Sequence, residues 1–518
     1  MLLSWSVLLC TGSFAAEEKY AGAEPAYDEV WISPRGDGQA GTGTLTDPFD
    51  GGSVEKLNGL FEKFQAECGD HVTIHFGPGV FHGDRPWRPG NYWKILGAGM
   101  DVTVLRTQAN PNARGDDVVG FLAPGKEGVE LADLTIDFNV QNLGKANRVF
   151  AWNRKGRRRV TYYHAASIEP WSADMTYEKQ KHRRQLVVEH RGREYILLGR
   201  ESRGQAPDES DLWARVHPVS PASLPPWNSK TGYVFGDAVA VDDRGYLCLA
   251  DESSTDPRKD AEAWKPIDGQ PIDPSLYTKG FLGSRRCRVR RVHFTNSYGS
   301  KHLNQECFVV HLSGGGQNVV EDCYVDRFHG DYCTMLAMAD GPNNVIRNCV
   351  VRDTFGRMTF GYGGWRLSDA VFEGNLAWNV ASSTNIDSLQ NRNVTFRNNT
   401  FLNCRSAGML VNVSGSERSR LDGLFIHDNF FELCDDAAFA GIQLQAAGLS
   451  NVVVRNNVIR TVSGNGNGRS AINVSRANGV VLLGNVCEPG MRCRVPESAK
   501  CLHNFDFRGQ PIPGLQGR

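Results

Sequence analysis

A phrase of about eight residues recurs through the second half of the chain, and its period limits the available folds more than any other feature. Two apolar residues, a small polar pair and two further apolar residues repeat from about residue 287 onward. Copies read Asn318-Val-Val-Glu-Asp-Cys-Tyr-Val, Asn344-Val-Ile-Arg-Asn-Cys-Val-Val and Asn451-Val-Val-Val-Arg-Asn-Asn-Val-Ile. One position per copy is Cys323, Cys349, Asn375, Asn399, Asn429, Asn457 and Asn485, at spacings of 26, 26, 24, 30, 28 and 28. Val292 and Leu134 fit the same column. The period is too long for a hairpin repeat and too rich in β-formers for a helical one. Each copy holds three short strands, the third some ten residues after the Asn, as at 308–312, 384–389, 409–413, 441–444 and 471–474. Three strands per turn, with turns stacked about 4.8 Å apart, make a parallel β-helix. The five Asn at one phase predict a ladder of amides at one bend.

The N-terminal half continues the pattern. Residues 53–68 read as an amphipathic helix, with Val54, Leu57, Leu60, Phe61 and Phe64 on one face, suited to capping the open end of a solenoid. Lys+Arg 57 against Asp+Glu 58 leaves a net charge of -1, which argues against a nucleic-acid partner. No apolar run approaches the roughly 20 residues of a membrane helix. Residues 1–16 carry an apolar run and the small-x-small site Ser13-Phe14-Ala15, so a signal peptide and a secreted or periplasmic location are expected. The remaining Cys are scattered without metal-ligand spacing. Cys487 and Cys493 are near enough in sequence for a local disulfide.

The phrases Trp31-Ile-Ser-Pro-Arg-Gly-Asp-Gly, Ile74-His-Phe-Gly-Pro-Gly-Val-Phe and Ile95-Leu-Gly-Ala-Gly resemble the entry segment of the pectin-lyase-like β-helix superfamily. The resemblance covers about 30–140 and 281–488. It implies an all-β, right-handed parallel β-helix, with N-terminal coils and cap over 24–148, a main solenoid over 281–490 and a tail over 491–518. The superfamily holds polysaccharide lyases, glycoside hydrolases, esterases, epimerases, tailspikes and non-catalytic surface proteins, so it constrains fold more than activity.

An insertion over 149–280 is itself duplicated, at 165–216 and 222–268. Trp171 to Tyr177 and Trp227 to Tyr233 are both six residues; Tyr195 to Trp213 and Tyr246 to Trp264 are both eighteen. The second copy, with Tyr233, Gly236-Asp237, Val239, Tyr246, Pro257 and Trp264 in order, resembles small chitin-binding-type carbohydrate-binding modules. The resemblance implies sugar stacking on Tyr233, Tyr246 or Trp264; the alternative is that these rings are a miniature core.

In the pectin-lyase-like superfamily the chemistry sits on the outer face of one sheet and its bordering loops. Here that sheet is the third, where alternation turns Val310, Leu312, Ile386, Val411, Leu444 and Val474 inward. The same alternation turns His311, Asp387, Asn412, Gln443 and Asn473 outward, read as one stripe. The loops before it contribute Lys301, His329, Asp331, Tyr332 and Arg357. His329, Asp331, Arg357 and Asp387 are the catalytic candidates, and Lys301, His311, Tyr332, Asn412 and Gln443 the substrate-binding ones. For β-elimination Arg357 would neutralise a uronate carboxylate while His329, Tyr332 or Lys301 takes a proton. For hydrolysis Asp331 and Asp387 are the available carboxyl pair. Asp435-Asp436 lacks the phrases that accompany the paired aspartates of polygalacturonases and reads as a turn or a Ca2+ loop. The expected partner is a polysaccharide, an anionic one among the candidates, acted on by a lyase or a glycoside hydrolase; the alternative is a non-catalytic glycan-binding surface protein. No cofactor is required by these residues, Ca2+ being the one candidate, and a monomer is expected.

Overall fold

The computed structural model describes residues 28–108, 118–140, 148–154, 157–163, 168–178, 187–199, 201–267, 279–299, 307–330, 333–338, 340–354, 358–364, 366–380, 384–388, 390–411, 420–435 and 437–515. Strands of successive coils pair in parallel and in register. Val319–Glu321 pairs with Val345–Arg347 in the first sheet, Tyr324–Val325 with Val350–Thr354 in the second, and Cys307–Gly316 with Cys333–Met338 in the third. The chain is therefore a parallel β-helix of three sheets, with the α-helix Val54–Glu67 at its N-terminal end. Ser53 caps that helix by accepting from Lys56 N. Leu57, Phe61 and Phe64 are buried, and Phe61 stacks on Trp87 at 4.5 Å over the first coils.

The ladder lies at the bend between the first and second sheets. Asn375 Nδ2 donates to Asn399 Oδ1 (3.0 Å), Asn399 to Asn429 (2.9 Å), Asn429 to Asn457 (3.0 Å) and Asn457 to Asn485 (3.0 Å). Asn504 adds a sixth rung that the repeat phrase does not reach. The residue before each rung is left-handed: Gly374, Asn398, Asp428, Asn456, Gly484 and His503. Asn, Asp and Gly tolerate that region best, which is why the repeat carries Gly-Asn, Asn-Asn and Asp-Asn pairs. In the earlier coils Cys323 and Cys349 hold the position, their thiols directed to Glu321 O and Arg347 O. A second, shorter ladder, Asn318 to Asn344 (3.0 Å), stands at the bend before the first sheet. Inside, aromatic rings stack along the axis, Phe372 on Phe396 at 4.4 Å and Phe401 on Phe431 at 5.0 Å. Cys487 and Cys493 are buried free thiols, not a disulfide.

The solenoid runs straight past the insertion. Glu130–Asp137 pairs directly with Arg288–Thr295, Leu134 opposite Val292. The third-sheet strand Lys279–Arg285 pairs backward with Gly120–Leu122 and forward with Cys307–Gly316. Excising 148–267 behind a short linker should thus leave a cooperatively unfolding β-helix. Circular dichroism during heating checks this; a broad, non-cooperative melt would make the insertion part of the core.

The insertion's two halves share one geometry. Val187–His190, Arg193–Leu197 and Trp213–Pro218 form an antiparallel sheet, as do Ala238–Val241, Arg244–Cys248 and Trp264–Pro266. Trp213 Nε1 donates to Ser202 Oγ (3.1 Å) and Trp264 Nε1 to Ser253 Oγ (3.2 Å). Tyr177 and Tyr233 hydroxyls accept from Ser172 N and Asn228 N. The hairpin Arg148–Arg154 and Arg157–Tyr163 joins the halves: Phe150 and Trp152 pack into the first, Val149 and Ala151 into the second. Alternation along one strand thus glues two modules.

This geometry corrects one expectation. Tyr233, Tyr246 and Trp264 are 8%, 5% and 1% exposed, and Tyr233 meets Trp264 edge-on at 5.4 Å. With so little core available, a small module spends its aromatics on its own interior. These rings offer no open face to a sugar.

Candidate functional site

The third sheet supplies the candidate site. Its register places Leu282, His311, Ala337, Gly361, Asn385, Leu410, Gln443 and Asn473 in one column. The inward neighbours Val310, Leu336, Phe360, Met409, Ile442 and Ile472 are buried core, so His311, Gln443 and Asn473 face out. His311 is half-buried and its ring stacks on Phe308 at 4.4 Å. Gln443 is only 2% exposed although it points away from the core. Its Oε1 accepts from Asn473 Nδ2 (3.2 Å), while its buried Nε2 has no hydrogen-bond partner.

The expected stripe is two columns. His311, Gln443 and Asn473 share the column above; Asp387 pairs with Gly363, two residues further along the strands. Alternation fixes the face but not the column, since Gln443 precedes its inward neighbour Leu444 whereas Asp387 follows Ile386, and Ile386, Val411 and Leu444 are register partners. Asp387 lies opposite Gly363, five residues after Met358, near the far end of the strand Met358–Gly364. At about 3.3 Å per residue this sets its backbone roughly 17 Å along the sheet from the column where that strand begins. His329 lies in Phe328–Gly330, opposite Tyr298. Lys301, Asp331, Tyr332, Arg357 and Asn412 lie outside the described residues, as does Asp436. Asp435 accepts from Ser463 N (3.2 Å), tying one turn to the next. Among the described residues no group of three or more His, Cys, Asp or Glu is arranged to hold a metal.

A charged cluster on the second sheet adjoins these loops. His293 Nδ1 donates to Asp101 Oδ1 (2.8 Å) and Nε2 to Asp326 Oδ1 (3.1 Å), and Thr295 Oγ1 also donates to Asp326 (2.7 Å). Asp326 follows the second-sheet strand and leads into His329 three residues on. Arg352 comes within 3.8 Å of Asp326. Trp378, opposite Arg352 one rung along, is 46% exposed. Burial pushes the His293 pKa down, but its bonds to Asp326 and Asp101 outweigh this and raise it. Burial pushes Asp326 up, and its bonds to His293 and Thr295 more than reverse it. The bond to His293 lowers Asp101. Both ring nitrogens face carboxylates, so His293 is engaged in the cluster and not free to act as a base. Neither Asp101 nor His293 was among the candidates; once Val292 is placed in the ladder column, the outward position of His293 follows.

The pH dependence has a defined sign. A His raised above its ordinary value of about 6.5 contributes stability below that pH and loses it as pH rises through the raised value. Carboxylates held below about 3.9 contribute above that pH and lose it as pH falls through their lowered values. The cluster therefore stabilises most between roughly pH 4 and 6.5. Asp326→Ala should cost about 3 kcal/mol in that window and clearly less at alkaline pH. Urea unfolding at several pH values measures this, and a pH-independent cost would contradict the assignment.

No protein-family model matches the chain, and no curated protein matches it in sequence. Several solved structures are similar in shape. The A-module of the mannuronan C-5 epimerase AlgE6 of Azotobacter vinelandii has a TM-score of 0.42 at 12% identity, over 88% of this chain and 94% of that one. The surface protein and adhesin PfbA of Streptococcus pneumoniae has 0.43 at 10%, over 88% and 93%. The polygalacturonase of Erwinia carotovora has 0.41 at 8%, over 94% and 100%.

Proposed function

We propose that this chain is a carbohydrate-active β-helix protein that handles a polysaccharide along the outer face of its third sheet. The observation that carries the reading is the outward polar column of the third sheet, in which His311 and Asn473 are half-buried and the shielded Gln443 holds Asn473 by accepting from its Nδ2 (3.2 Å). His311 and Asn473 in the same column extend the polar track along the axis, the direction in which an elongated glycan would lie.

For the reaction, we assign cleavage of an acidic polysaccharide by elimination or hydrolysis. Arg357 faces the substrate carboxylate; His329, Tyr332 or Lys301 moves the proton; Asp331 is the nearest carboxyl group by sequence. Asp387, at the exit side of the sheet, serves binding rather than proton transfer, and Asn412 is a further binding residue. Dialysis against a chelator, followed by readdition of Ca2+, decides whether the ion takes part. A non-catalytic glycan-binding protein is the second reading, favoured by His293, whose two nitrogens are both engaged. Asn473→Ala, which removes the half-buried amide of this column, should weaken oligosaccharide binding roughly tenfold by calorimetry. Unchanged affinity would move the binding face away from the third sheet.

A further inference from the structure

Where the third sheet turns into the first, a groove of about 600 Å³ is lined by Arg366, Ser368, Gln390, Arg392, Arg420 and Asp422 among others. Ser368, Arg392 and Asp422 stand in one column over three rungs. Gln390 and Arg420 pair in the column two residues earlier, and Arg366, two residues before Ser368, joins them. All three arginines are exposed. Rungs about 4.8 Å apart set Arg366, Arg392 and Arg420 on consecutive steps of the solenoid axis.

Elsewhere on the solenoid, outward arginines commonly meet a carboxylate on a neighbouring rung. Arg288 and Arg347 both hold Glu321; Arg290 holds Glu130, Arg397 Glu373 and Arg460 Glu432. Arg366, Arg392 and Arg420 have no ion pair among the described residues. The one carboxylate among the described lining residues, Asp422, does not compensate them. Asp422 Oδ1 accepts from Ser450 Oγ (2.8 Å) and Asn451 Nδ2 (2.7 Å) on the following rung. Three cations at rung spacing repel one another unless an anion lies between them.

We propose that this groove binds an acidic polysaccharide, laid parallel to the axis so that successive anionic sugars meet the guanidinium forks of Arg366, Arg392 and Arg420. A planar fork takes a carboxylate or sulfate with two parallel bonds, and Ser368 and Gln390 supply partners for hydroxyls. A nucleic acid fits less well. The described lining residues include no aromatic side chain on which bases would stack, and the chain's net charge is -1. The groove follows the exit of the strand Met358–Gly364, at the edge of the third sheet opposite the loops that carry Asp331 and Arg357. It is a site of its own and stands whatever reaction those loops perform.

The test compares the full chain with two triple variants of equal charge loss. One is Arg366→Ala/Arg392→Ala/Arg420→Ala; the other, a control, is Arg397→Ala/Arg455→Ala/Arg460→Ala. Probes are polygalacturonate, alginate, hyaluronan, neutral dextran and oligo(dT), measured by biolayer interferometry at low and raised salt, with thermal unfolding alongside. The expected result is salt-sensitive binding of at least one acidic polysaccharide and none of dextran. The groove variant should be weakened roughly tenfold and the control less than twofold. The proposal is overturned if no acidic polysaccharide binds, if the two variants lose affinity equally, or if oligo(dT) binds as tightly as the best polysaccharide.

Discussion

Asn429→Ala should destabilise the solenoid by about 4 kcal/mol, the largest effect expected of any single ladder substitution. Asn429 sits in the middle of the column and is 2% exposed. Its Oδ1 accepts from Asn399 N and Nδ2, both at 2.9 Å. Its Nδ2 reaches Phe396 O, His427 O and Asn457 Oδ1, each at 3.0 Å. Alanine strands these partners away from water, and each buried orphan costs about 1–3 kcal/mol; partial relaxation of the bend holds the sum below the simple total. Asn504→Ala, at the last rung, should cost clearly less because it has a neighbour on one side only. Chemical unfolding of both variants measures the difference. A central substitution no costlier than the terminal one would show that the ladder does not propagate its bonds from coil to coil.

Arg357→Ala should lower turnover on a true substrate by roughly 10²–10³, the usual loss when one stabiliser of developing charge is removed. In elimination next to a uronate, negative charge spreads onto the carboxylate as the proton leaves, and a fixed guanidinium facing it favours the transition state over the ground state. Stability should change little, since on this reading Arg357 meets substrate. The split between kcat and KM is informative. A fall in kcat points to charge stabilisation, whereas a rise in KM alone points to simple binding.

The solenoid was legible because its rule is local. Each bend needs a left-handed residue followed by one whose amide reaches the next coil, which writes Gly-Asn and Asn-Asn pairs at near-constant spacing. Asn504 escaped because the closing coil is short, nineteen residues after Asn485. Inward positions such as Val310, Leu312, Leu444 and Val474 were legible from alternation, but the positions between them were assigned to one column when they occupy two. A period of two names the face; only pairing names the rung position. The His293 bond to Asp101 crosses 192 residues and an entire insertion, and no local pattern marks it. The aromatics of the inserted modules show the opposite limit. Trp264 and Tyr233 are conspicuous in sequence, yet in so small a fold conspicuous rings are the core itself.

The central claim, that the third sheet handles a polysaccharide, is tested most directly by a cleavage panel. The purified chain is incubated with acidic and neutral polysaccharides, with ultraviolet absorbance followed for a new carbon–carbon double bond and reducing ends counted in parallel. We expect at least one acidic polysaccharide to be shortened, with the ultraviolet signal if by elimination and without it if by hydrolysis, and the activity to fall in Arg357→Ala and in Asn473→Ala. Activity that survives both substitutions intact, or no cleavage and no binding of any glycan, would contradict it.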